Sequence, residues 1–150
     1  MGGKYFEQFE VGQTFVHEIR RTVTDMDNIL FCALTYNPAA IHIDHEYAKT
    51  TEFGKPLMNS VFTLGLLVGL SIQDTTLGTT IGNLGWEEVA FPKPVFAGDT
   101  IRAETKVLAL RESKSRPTQG IVTFEHCGFN QRDEVIATCR RVALMMRKPS

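Results

Sequence analysis

The sequence has few of the features that place a protein in a membrane or on nucleic acid. Its longest apolar run, residues 57–72, is shorter than the roughly 20 residues of a membrane-spanning helix and contains Asn59, Ser60 and Thr63. The formal net charge is −1, so no excess of lysine and arginine is present to attract nucleic acid or an anionic membrane. We therefore expect neither nucleic acid nor a membrane as a partner.

Cysteine is also scarce. The three cysteines at positions 32, 127 and 139 are odd in number, and their spacing fits no metal site. The first twelve residues lack the apolar segment of a secretory signal, and no glycine-rich phosphate loop is present. These absences predict reduced thiols in a cytoplasmic protein, with no metal and no redox cofactor.

The first half of the chain contains sequence patterns of both strands and helices. The length of 150 residues predicts one domain, residues 1–150. Residues 14–22 have the β-branched and aromatic composition of a strand, and Thr24 with Asp27 has the spacing of a helix start. Asp44 can cap a short helix over residues 45–51. Residues 57–72 then predict a buried helix, where Gly65 and Gly69 on one face indicate close approach of another backbone.

The second half alternates between apolar and polar residues with the period of strands. We predict strands over residues 79–91, 101–109, 122–126 and 135–146, with a turn at residues 130–133. Four such strands and one apolar helix predict an α+β architecture in which an antiparallel sheet curls around the helix. The open edges of such a sheet favour pairing between copies, so we expect a homodimer or a higher homo-oligomer.

Residues 34–48 form the strongest candidate site. An amide (Asn37), an imidazole (His42) and a carboxylate (Asp44) lie within eight residues, in a stretch that Pro38 prevents from being one continuous helix. His42 is the candidate for acid and base chemistry, because histidine titrates near neutral pH. Asn37 cannot take up a proton and is suited to orienting a water molecule. Asp44 is explained by its position as a helix cap.

Three ordered segments resemble one family. They are residues 35–48, the segment FGKPLMNSVFTLGL, and the segment FPKPVFAGDTI. Together they resemble the MaoC-like, (R)-specific enoyl-CoA hydratases of hotdog fold. The family's motif places its small residue, catalytic Asp, aliphatic residue, His, second Asp and final Ala at Thr35, Asn37, Ile41, His42, Asp44 and Ala48 of this chain. The strings NLGW (residues 83–86) and RESKSRP (residues 111–117) are similar to a branch that hydrates C5 dicarboxylyl-CoA thioesters such as mesaconyl-CoA or itaconyl-CoA.

The chain also departs from the family's motif. Tyr36, Ala39 and Ala40 stand in place of its Gly, Asn and Pro, and Ser60 replaces a Gly usual at the start of the helix. The departure with most consequence is Asn37, which replaces the catalytic Asp. By hypothesis His42 then makes the proton transfers and Asn37 positions the water.

The resemblance implies an acyl-CoA substrate and no cofactor. Backbone N–H groups around Asn59 and Ser60 are expected to hold the enolate oxygen, since a helix start has unpaired donors. Arg111, Lys114 and Arg116 are candidates for binding CoA phosphates or a substrate carboxylate, and the alternative is that they are solvated turn residues.

Three other functions stay open at this point. A hotdog thioesterase needs a carboxylate near the start of the central helix, and residues 58–62 offer none. A non-catalytic acyl-CoA binding module is suggested by the loss of the motif's Asp at Asn37. A general (R)-specific hydratase of straight-chain enoyl-CoA differs only in its substrate.

Overall fold

The computed structural model of the protein describes residues 2–149. After a 3-10 turn at Phe6–Gln8, its elements follow in this order: β1 (Thr14–Val16), β2 (Arg21–Thr22), α1 (Asp25–Leu34), α2 (Ala40–Ile43), α3 (His45–Ala48), α4 (Ser60–Thr75), β3 (Thr80–Ala90), β4 (Thr100–Glu112), β5 (Gln119–Phe129) and β6 (Val135–Met146). None of the helices in the described part of the chain is long and apolar enough to cross a membrane.

The strands form one antiparallel sheet against α4. Its order is β1-β4-β5-β6-β3, and β2 also pairs with β4. A core cluster between sheet and helix includes Leu67, Leu70, Ile101 and Cys139, all nearly inaccessible to solvent. This α+β arrangement, with four long strands after the central helix, confirms the predicted fold class.

The first predicted strand is wrong as a single element. Val16 and Arg21 are five positions apart, while their partners on β4, Glu104 and Ile101, are only three apart. The chain must therefore leave the ladder between β1 and β2. It does so after His17, whose N–H still donates to the Ala103 carbonyl at 3.1 Å.

The predicted helix over residues 57–72 begins three residues later than expected. Leu57 makes an isolated bridge to Phe96, and the Met58 N–H donates to the Val95 carbonyl at 2.9 Å, so this segment is extended. Asn59 then caps α4. Apolar composition alone cannot distinguish the extended lead-in from the helix.

Among the other helices, two predicted caps are present and one short helix was not predicted. The capping box of Thr24 and Asp27 is present at the start of α1, as predicted. Asp44 caps α3, as predicted, although α3 ends at Ala48 and not at residue 51. The short helix α2 was not predicted.

Gly65 and Gly69 do not make the contact that their spacing predicts. Apart from the adjacent backbone of α4 itself, a Cβ at either position would meet no atom of residues 2–149 within 4 Å. The two glycines lie on an exposed face of α4 with Val61, which is 61% exposed. No backbone of the described chain approaches this face.

Candidate active site

The candidate site lies where α2 meets the start of α4. Asn28, on α1, is 1% exposed and connects the two segments. Its Nδ2 donates to the carbonyl oxygens of His42 at 3.0 Å and Leu57 at 2.9 Å. Its Oδ1 accepts from the Asn59 N–H at 2.8 Å. One buried amide therefore fixes the imidazole-bearing turn against the N-terminus of α4.

His42 is held in one tautomer. Its Nδ1 lies 2.7 Å from the carbonyl oxygen of Leu57, and because a carbonyl can only accept, Nδ1 must carry the proton. In the neutral ring Nε2 is then unprotonated, and it has no hydrogen-bond partner within residues 2–149. A half-buried imidazole with a fixed donor on one side and an available lone pair on the other is the geometry of a general base.

Asn37 presents a donor. Its Oδ1 accepts from the Ala39 N–H at 3.0 Å, which closes a turn just before α2. Its Nδ2 makes no hydrogen bond to the described part of the protein, so this NH₂ group is available to an incoming oxygen. The role of Asn37 in orienting water stays a prediction.

Tyr36, which precedes Asn37, adopts a left-handed backbone conformation, with φ of 54°. This conformation is one that glycine adopts without cost and a bulky residue does not. The Gly of the family's motif stands at this position, so Tyr36 retains the turn at a cost in backbone strain. Its side chain is 95% exposed.

Asn59 and Ser60, at the start of α4, differ in their hydrogen bonding. The Oδ1 atom of Asn59 accepts from the N–H groups of Val61 at 2.9 Å and Phe62 at 3.4 Å, and the Asn59 N–H donates to Asn28. Only the Ser60 N–H, among the amides of this first turn, has no acceptor within the part of the chain that the structure describes. Asn59 is thus a buried cap, while Ser60 presents the donor that an oxyanion would need.

The basic residues Arg111, Lys114 and Arg116 are not brought to this site within one chain. The site lies near Val95 and Phe96, at the end of the sheet where β4 begins. Arg111 is ten residues beyond Ile101 on β4, which corresponds to about 33 Å along a strand. Lys114 and Arg116 lie in the exposed β4–β5 connection.

A second set of polar side chains, joined by hydrogen bonds, lies in the core. His17 Nδ1 lies 2.8 Å from Asp74 Oδ2, and His17 Nε2 lies 2.8 Å from the hydroxyl of Thr105. The same hydroxyl lies 2.8 Å from His126 Nδ1, and Arg141 Nε donates to His126 Nε2 at 3.1 Å. Since Arg141 can only donate, His126 Nε2 is the acceptor, and His126 Nδ1 carries the proton that it donates to the Thr105 hydroxyl.

The inner members of this set are almost fully buried, which changes their titration. Burial, reinforced by the nearby charge of Arg141, holds the pKa of His126 well below 6.5, so the ring is neutral. Burial also lowers the pKa of Arg141 to about 10. These partners could not be predicted from local sequence patterns, because each comes from a different element.

The comparisons with known proteins bear on the same segments. The model of the MaoC like domain matches residues 6–128, which is most of the chain. This chain belongs to the MaoC-like family. The match includes α1 to α4, and therefore both Asn37 and His42.

Individual MaoC-like relatives support the fold. A structure described as a monoamine oxidase regulatory protein from Archaeoglobus fulgius is 32% identical with a TM-score of 0.86, covering 99% of this chain and 98% of that one. A Mycobacterium tuberculosis protein described as a double hotdog fold has a TM-score of 0.89 at 21% identity, over 99% of this chain and 46% of its own. The fold is therefore the hotdog fold that the resemblance implied.

Several curated relatives of this MaoC-like chain are longer than it is. A mesaconyl-CoA hydratase from Cereibacter sphaeroides is 30% identical over 146 residues, which is 97% of this chain and 42% of that protein. The chain thus spans less than half of that relative's length.

Proposed function

We propose that the protein adds water reversibly to the double bond of an α,β-unsaturated acyl-CoA thioester. The observation that carries this proposal is the pairing of a fixed imidazole with a free helix-start amide. His42 offers an unprotonated Nε2, and the Ser60 N–H offers a donor, on two segments that Asn28 holds together. The names of the relatives, which are hydratases and dehydratases, support the same reaction class.

The proposed reaction begins with His42. Its Nε2 removes a proton from water while the Asn37 NH₂ group holds the water oxygen, and the hydroxide bonds to the β-carbon. The electron pair of the double bond moves to the thioester oxygen, which becomes an enolate stabilised by the Ser60 N–H and the dipole of α4. His42 then returns the proton to the α-carbon. One water is consumed, and the enzyme ends in its initial state.

The proposed substrate class is a branched C5 dicarboxylyl thioester such as mesaconyl-CoA or itaconyl-CoA. It is supported by the similarity to the mesaconyl-CoA hydratase of Cereibacter sphaeroides and by a β-methylmalyl-CoA dehydratase of Chloroflexus aurantiacus, 31% identical over 97% of this chain and 41% of that protein. We place the reaction in the cytoplasm, because Cys32, Cys127 and Cys139 are free thiols.

We also propose that the active form is a symmetric homodimer joined through β3. Within residues 2–149 this strand pairs only with β6, and its other edge has no partner there. It carries exposed apolar side chains at Ile81, Leu84, Trp86 and Val89, each 40–55% exposed. An exposed edge with apolar residues favours pairing with another strand.

Such a dimer would give the basic residues a role. A two-fold axis between paired β3 strands reverses the second sheet, so the β4–β5 connection of one subunit points toward the site end of the other. We propose that Arg111, Lys114 and Arg116 bind the CoA phosphates of the partner's substrate.

Initial rates with mesaconyl-CoA, itaconyl-CoA and crotonyl-CoA test the function directly. The ultraviolet absorbance of the conjugated thioester falls as water adds. We expect turnover of the dicarboxylyl substrates, and partial activity in an Asn37→Asp variant, because a carboxylate can also hold the water. Binding of the thioesters without any turnover would instead identify a non-catalytic acyl-CoA binding module.

A further inference from the structure

A small cavity opens beside the start of α4. Its volume is about 220 Å³, below the range of roughly 300–1,000 Å³ that accommodates drug-sized ligands. Ser60, whose N–H is the free donor, lies in its wall with Leu57, whose carbonyl binds His42. The cavity therefore adjoins Ser60 directly, and Leu57 links it to His42. Its size suits a short acyl group and not the nucleotide of CoA.

The residues that line this cavity are mostly apolar, and one of them is charged. Apart from the hydroxyls of Ser60 and Thr63, its lining is aromatic, aliphatic or proline except at Lys93, on the loop before β4. Lys93 is the only charged residue among those that line it. A single cation at the wall of an apolar cavity matches a ligand with a carbon skeleton and one carboxylate.

The other charged groups near Lys93 are already engaged. The ammonium group of Lys55 lies 4.4 Å from the centre of the Phe96 ring. The Glu134 carboxylate accepts from Asn130 Nδ2 at 2.8 Å and from Arg132 Nε at 2.9 Å. Lys93 forms no ion pair within 4.0 Å with any of residues 2–149, although its charge is one of the weaker causes that lower the pKa of Glu134. Its ammonium group is therefore free to bind an anion that enters the cavity.

We propose that Lys93 binds the distal carboxylate of the acyl group and so makes the site selective for dicarboxylyl thioesters. This inference rests on the proposed function, and it assigns substrate selectivity to Lys93, a residue of the FPKPVFAGDTI segment that has been given no role so far. With the thioester oxygen at the Ser60 N–H, the remainder of a C5 acyl group extends into the cavity, and its carboxylate meets Lys93 at the wall. Lys93 itself is exposed at the rim of the cavity, so solvent screens this contact and it is weaker than a buried ion pair.

The test compares Lys93→Met with Lys55→Met, a nearby lysine that does not line the cavity. An ion pair at an exposed lysine contributes up to about 1 kcal/mol, so Lys93→Met should lower kcat/KM for mesaconyl-CoA by about two- to fivefold. The kcat/KM for crotonyl-CoA, which has no distal carboxylate, should be unchanged. Lys93→Arg should retain most of the selectivity, and Lys55→Met all of it.

Equal losses on both substrates in Lys93→Met, or no loss on either, would overturn the assignment of Lys93 while leaving the hydratase function standing. Absence of turnover in the unmodified protein would overturn the proposed function instead. Thermal shifts with two saturated thioesters then test Lys93 without chemistry. Tighter binding of succinyl-CoA than of butyryl-CoA, lost only in Lys93→Met, supports the contact, and no difference between the two ligands refutes it.

Discussion

Replacing Ser60 by proline removes one hydrogen-bond donor and little else. Ser60 is the first residue of α4, where proline is well accepted because this N–H has no helical partner. The preceding residue, Asn59, has φ of −61° and ψ of 127°, within the extended region that a residue before proline prefers. The Asn59 cap on Val61 and Phe62 does not involve the Ser60 N–H. The folded structure should therefore accept Ser60→Pro.

The expected effect on catalysis is much larger than the effect on stability. Loss of one oxyanion donor costs about 10²- to 10³-fold in kcat, which corresponds to about 2.7–4 kcal/mol. Ser60→Ala is the matched control, because it removes the hydroxyl and keeps the N–H, and its kcat should change little. Initial rates and urea unfolding of both variants provide the measurement. A Ser60→Pro protein that is stable and retains full kcat would refute the oxyanion assignment.

Three further predictions concern groups around the site and in the core. Asn28→Ala should lose about 3 kcal/mol of unfolding free energy, from three hydrogen bonds of about 1 kcal/mol each, and most of its activity. Asn130→Ala loses three similar hydrogen bonds in the β5–β6 turn, so it should be destabilised in urea as much as Asn28→Ala but should remain active. If the two variants had equal activities, the role of Asn28 would be contradicted. Because the pKa of His126 is lowered on folding, only the unfolded chain takes up its proton below pH 6.5, so stability falls with falling pH by at most about 1.4 kcal/mol per unit. His126→Gln should flatten this slope in urea unfolding between pH 6.5 and 5, and an unchanged slope would count against it. Asp44→Ala should cost about 1 kcal/mol through loss of the α3 cap, with kcat unchanged, whereas a large fall in kcat would show that Asp44 acts in catalysis.

Local patterns predicted much of the fold. The alternation of apolar and polar residues located β3 to β6, and side-chain caps located the starts of α1 and α3, because both signals depend on neighbours in sequence. The start of α4 was misplaced, since Leu57 and Met58 are apolar for a different reason: they pair with Val95 and Phe96. Contacts between segments that are distant in sequence produce no periodic pattern of apolar and polar residues, so local patterns do not predict them.

The same distinction applies to the candidate site. Residues 34–48 indicated Asn37 and His42, but not the fixed tautomer of His42, which depends on the carbonyl of Leu57. Asn28 was missed, although a polar residue four positions before Cys32 on the buried stripe of α1 was a usable signal. The distance of Arg111 from His42 could not be read from the sequence either, because it follows from the direction of β4.

The most direct test of the proposed chemistry is the initial rate of His42→Ala against that of the unmodified protein, with mesaconyl-CoA and crotonyl-CoA. General acid–base catalysis contributes about 10²- to 10⁴-fold, so the variant should lose at least that much on any thioester that the protein hydrates. Its urea unfolding should remain cooperative, which separates lost chemistry from lost fold. A folded His42→Ala protein that hydrates the thioester at the unmodified rate would contradict the account.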